Sequence, residues 1–110
     1  MSLNASDLEL VIIASFKDAF AAKWPDLKKY GEEEAKKLAE SLVRIEGLKL
    51  SCKIDEEQAR NQLEIQKSSL RMLFLVLGGY GIMAAVESAI NAALVLIKGI
   101  VNAAIGFALI

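Results

Sequence analysis

The chain has no histidine, one cysteine and one proline in 110 residues, and aromatic side chains make up only 6% of it. The missing histidine removes the commonest metal ligand and the commonest general base. A di-metal helical bundle built on Glu-x-x-His is excluded in its usual form for the same reason. Cys52 has no partner for an internal disulfide and no histidine to activate it, so it reads as a buried structural thiol in a reducing compartment. Thirteen Lys/Arg stand against fourteen Asp/Glu, for a net charge of −1. No basic excess is available for phosphates, and few rings are available for stacking on bases, so nucleic acid is not an expected partner. Gly78, Gly79 and Gly81 lack a following Lys-Ser/Thr and do not form a P-loop. No nucleophile, acid–base pair or metal set stands out. No enzyme activity, cofactor or small-molecule substrate is expected, and no cleavable leader is recognisable, because Glu9, Lys17 and Asp18 interrupt the first apolar stretch.

What the chain has in excess is aliphatic side chains. The hydrophobic fraction is 55%, above the roughly 45–50% of ordinary soluble domains. Its distribution is uneven. Residues 1–71 hold 12 of the 13 Lys/Arg and 13 of the 14 Asp/Glu, whereas residues 72–110 hold only Glu87 and Lys98. The chain therefore divides into a charged amphipathic region, 1–71, and an apolar region, 72–110, within one continuous unit.

Periodicity predicts an all-α protein of long amphipathic helices, in a hairpin or four-helix arrangement, oligomeric, and ending in an apolar helical hairpin. Asn4-Ala5-Ser6-Asp7 is rich in N-cap residues, and Leu8, Ile12, Phe16, Ala19 and Phe20 follow on one helix face. Trp24-Pro25 is expected to end that helix, because a residue before proline is biased away from helical angles. Gly31 reads as a further break. Leu38, Leu42, Ile45, Lys49, Cys52, Glu56, Ala59, Leu63, Gln66, Leu70, Leu73 and Leu77 then alternate spacings of four and three, a heptad track with three polar positions. One helix over 32–77 would be about 69 Å long. Leu48, Leu50, Cys52 and Ile54 also alternate with polar residues. That leaves a break or a short extended piece at 47–54 as the alternative, with Asp55-Glu56-Glu57 able to restart a helix. The carboxylates Glu40, Glu46, Glu56, Glu57 and Glu64 are expected on a solvated face, Glu57 pairing with Arg60 and Glu64 with Lys67.

Gly78-Gly79-Tyr80-Gly81 is the strongest punctuation. It marks a turn, or else a face for close helix packing. The 39 residues from 72 onward would span about 58 Å as one helix, so two spans of near 19 residues fit a bilayer core of about 30 Å better than one. Within them, Glu87, Asn91, Lys98 and Asn102 follow at spacings of four, seven and four, a narrow polar stripe on one face. In lipid that stripe would face a bundle interior or a pore lumen. In water it would be exposed, and the other faces would be buried in an oligomer. Glu87 is the leading functional candidate, as an intramembrane acid or a partner for Lys98 of a neighbouring copy. A self-associating membrane protein, anchor or pore, is the favoured expectation, with a lipid bilayer as partner. Its amino-terminal region would lie in the cytoplasm, since Arg60, Lys67 and Arg71 precede the block. The alternative is a soluble helical assembly subunit, cytoplasmic or within a larger particle.

Overall fold

A computed structural model describes Ser2 to Ile110, with the backbone alone at Tyr80. The described residues form an all-helical bundle without strands: α1 (Ala5–Phe20), α2 (Trp24–Leu50), α3 (Glu56–Gly78) and α4 (Met83–Ile105). Single 3-10 turns, Ala21–Lys23 and Tyr80–Ile82, join α1 to α2 and α3 to α4. Helix α1 packs chiefly against α2 and α4, and α3 against α2.

Each boundary has a local cause. Asn4 caps α1, its Oδ1 accepting the Asp7 N–H at 3.0 Å. The helix ends at Phe20, four residues before the expected stop, where Ala21 takes a positive φ of 49°. Trp24-Pro25 opens the next helix instead of closing the first. Trp24 itself is helical, with φ −55° and ψ −44°, against the usual bias of a residue before proline. Burial of its ring against Gly31 offsets that bias. A Cβ on Gly31 would lie 2.6 Å from the Trp24 ring. Gly31 is thus no break: it sits inside α2 as the flat seat that the indole occupies.

The expected single helix over 32–77 is divided. Helix α2 stops at Leu50, and Cys52, exposed in the turn rather than buried as expected, adopts φ 59°. Asp55 starts α3 with a capping box in which Asp55 Oδ1 accepts the Gln58 N–H at 2.7 Å and Gln58 Oε1 accepts the Asp55 N–H at 2.9 Å. The alternative of a break near 47–54 therefore holds, as a turn; its extended form does not, since no strand forms there. The heptad track explains where it falls. Lys49 and Glu56, two of its three polar positions, flank Cys52 in the middle of the track, so the seam is weakest there and has little to hold it straight against a partner. Folding back lets Leu38, Leu42 and Ile45 of α2 face Ala59, Leu63 and Leu70 of α3 in one core. The longest dimension of the molecule is accordingly 41 Å, not 69 Å. Past Leu70 the track shifts by one residue, so that Phe74 is fully buried while Leu77 is exposed.

Of the acidic residues expected on a solvated face, Glu46 is the exception. It is buried, and its two carboxylate oxygens accept the Leu3 N–H at 3.1 and 3.0 Å, fastening the segment before α1 to the end of α2. Lys67 pairs with Glu64 at 3.1 Å, as its spacing predicts, but Arg60 pairs with Glu56 one turn back at 3.8 Å rather than with Glu57.

Candidate functional site: the outer faces of the last helix

Helix α4 begins after the glycine-rich turn. Helix α3 ends at Gly78, where an added Cβ would meet the Ile82 side chain, and Gly79 takes φ 74°. Both glycines have a conformational or steric reason to be there. Gly81 has none, since a Cβ there meets nothing within 4 Å. Of the block 72–110, only α4 (23 residues) is long and apolar enough to cross a membrane among the described residues. Residues 72–78 are instead the last two turns of α3, a helix that also carries Glu56, Glu57, Arg60, Glu64, Lys67 and Arg71. The expected pair of equal spans is therefore corrected to one apolar helix following an amphipathic one with six charged residues among its 23.

At roughly 100° per residue, α4 shows three faces. The inner face holds Val86, Ala89, Ile90, Ala93, Leu94, Ile97, Val101 and Ile105, all buried in the common core. The second is the polar stripe. The third is apolar and faces outward: Val95 is 70% exposed, Leu96 65% and Ile100 56%, with the small residues Ala84, Ser88, Ala92, Gly99 and Ala103 exposed between them. Beside Leu96 and Ile100 this face runs into a shallow apolar groove shared with Leu3, Leu8 and Val11 at the start of the molecule.

The four stripe residues do not act together. Glu87 is half-buried and bound across the turn by Arg71, whose Nε donates to its two oxygens at 2.7 and 2.9 Å. Asn91 and Lys98 are exposed, and neither makes a side-chain hydrogen bond or ion pair among the described residues. Asn102 holds the end of the chain. Gly106 ends α4 in the left-handed region at φ 93°, which turns the chain back. Asn102 Oδ1 then accepts the N–H groups of Leu109 and Ile110 at 3.0 and 3.1 Å, and its Nδ2 donates to the Ile110 carbonyl at 3.3 Å. The returning segment places the Phe107 ring under Arg60, at 5.2 Å, and Lys49, at 5.7 Å. Periodicity puts Asn102 on the stripe but is silent on this clamp; the only local signal is a glycine four residues after an asparagine at a helix end. Asn102→Ala should lower the unfolding free energy by about 1–2 kcal/mol, as three hydrogen bonds of roughly 0.5–1.5 kcal/mol each are partly replaced by water. Amide exchange at Leu109 and Ile110 should rise with it; unchanged protection of both amides would contradict the clamp.

No group of three or more Cys, Asp or Glu side chains is placed to hold a metal ion among the described residues. The exposed apolar surface, rather than any cluster of titratable groups, is the feature for a function to explain. Comparison with protein-family models, with curated proteins and with solved structures finds no match to this chain.

Proposed function

We propose that this chain is a non-enzymatic helical module that works by self-association, with the outward apolar face of α4 covered by protein in the assembled state. The exposure of Val95, Leu96 and Ile100 along one helix carries this reading. Fully burying a side chain of this kind stabilises by about 1.5–3 kcal/mol, and contiguous apolar patches on a folded surface mark interaction sites. The charge distribution suits such a role. The outer side of α2, by contrast, presents Lys28, Lys29, Glu33, Lys36, Lys37 and Glu40 to solvent.

A second reading has support in the length of α4: its 23 residues match one bilayer crossing. It makes the chain a membrane anchor with its amino-terminal helices in the cytoplasm. Under that reading α4 must leave α1 or carry the bundle with it, and the contact between its inner face and the core argues for the first proposal. Sedimentation in detergent-free buffer tests both. Stable dimers or larger species are expected. A monomer at all concentrations overturns self-association. Recovery of the protein only in carbonate-resistant membranes, with none in the soluble fraction, replaces it with the anchor.

A further inference from the structure

We propose that copies join head to tail, the outward face of α4 in one copy seated on an outward face of α3 in the next. This rests on the self-association reading and names its second surface. Helix α3 carries an outward apolar face of its own. Ile65, Met72 and Val76 are 64–77% exposed, and at roughly 100° per residue they fall within about 40° of arc. All six charged residues of α3 point at least about 80° away from Ile65. Ser68 and Ser69 are the small residues at the middle of the face, which forms an open trough of about 710 Å³ with Glu64 and Leu73 on its edges.

The spacing of bulk on α3 matches the spacing of small residues on α4. Leu96 stands near the centre of the α4 face. Ala92 lies four residues before it, Gly99 three after and Ala103 seven after, all within about 60° of arc. Glu87 and Lys98 lie about 160–180° from Leu96, on the other side of the helix, so both faces are free of charge at their centres. Seating Leu96 over Ser68 and Ser69 sets Ile65 and Met72, each three or four residues from the serines, opposite Ala92 and Gly99. Val76 then falls opposite Ala103 or Ser88, according to the direction in which the two helices run. Large side chains meet small ones along about 17 Å of contact, the condition for ridges to enter grooves.

Pairing like with like covers less. Two α3 faces centred on their serines would set Ile65 against the partner's Met72, bulk against bulk. Two α4 faces would leave both α3 faces in water. A strip of one helix about 24 Å long and about 12 Å wide removes on the order of 600 Å² from water, both sides counted. That falls short of the roughly 1,000 Å² of a specific interface. Head-to-tail joining uses both faces of every copy and doubles the area each one buries. Such a heterologous contact continues into a ring or an open series instead of stopping at two copies.

The test mixes two full-length variants. Leu96→Glu with Ile100→Glu disables the α4 face, and Met72→Glu with Val76→Glu disables the α3 face. Each variant alone should sediment as a monomer, whereas the unaltered chain should reach three or more copies. An equimolar mixture should form a one-to-one dimer of twice the monomer mass. The intact α3 face of the first variant meets the intact α4 face of the second, and neither can extend further. An unaltered chain that stops at two copies, or either variant dimerising alone, overturns the head-to-tail contact and leaves self-association standing. A mixture that stays monomeric overturns it too, and an unaltered chain that is monomeric at every concentration removes self-association itself. The four altered positions are exposed, so helical circular dichroism should not change. If a glutamate variant does unfold, cysteines replace it: with Cys52→Ser throughout, Ser69→Cys protein mixed with Leu96→Cys protein should form a mixed disulfide under mild oxidation. Absence of that mixed disulfide overturns the proposal.

Discussion

Phe74→Ala should remove about 3–5 kcal/mol of stability, the range for deleting a fully buried phenylalanine side chain. Phe74 is completely buried near the end of α3, where its ring meets Phe16 edge-on at 5.8 Å and Phe20 at 4.9 Å. These three rings join α1 to α3, so truncating one leaves a cavity that neither helix can close alone. For a domain whose total stability is on the order of 5–15 kcal/mol, the loss should appear as a large fall in the urea midpoint followed by circular dichroism. Leu77→Ala, three residues further along the same helix, should cost less than about 1 kcal/mol because Leu77 is already exposed. Equal costs at the two positions would contradict the packing of α3 around Phe74.

Leu96→Glu with Ile100→Glu should convert the assembled protein to monomer at micromolar concentration without loss of helicity. Both side chains point outward, 65% and 56% exposed, so charge there is hydrated in the single chain. On association the same two carboxylates must be stripped of water in each copy without a matching cation, at several kcal/mol per dimer. Analytical ultracentrifugation reads the result directly. If the sedimentation coefficient is unchanged, the α4 face is not where copies meet. Val86→Glu is the control. It places charge on the inner face, where Val86 is buried, and should unfold the protein rather than separate folded copies.

Phe74 and Glu46 show why part of the structure was not legible in the sequence. Heptad spacing carried from Leu38 to Leu70 leads on to Leu73 and Leu77. It misses Phe74, because the track is set by a straight two-helix seam and α3 must also meet α1, which approaches from another side. Glu46 resembles the other carboxylates of α2 in every local respect. Only the return of Leu3 to the far end of that helix makes it a buried acceptor. In the same way Asn102 belongs to a polar stripe by spacing, and becomes a clamp only because Gly106 reverses the chain.

The sequence by itself determined the all-helical class, since spacings of three and four run through almost its whole length. It also determined the concentration of charge before residue 72 and marked the glycine-rich segment as a turn, and it offered Asp55 as a helix start only as the alternative to one unbroken helix. These depend on local propensity, capping and hydrophobic period, all of which act within a few residues. Tertiary structure decided that the long heptad pattern folds at its polar middle. It decided that Trp24-Pro25 opens a helix, and that a single helix carries most of the apolar block. It also divided that block into a buried side against α1 and an outward side. Hydrophobicity shows how much surface must leave water; only the placement of the other helices decides which part of it is left for a partner.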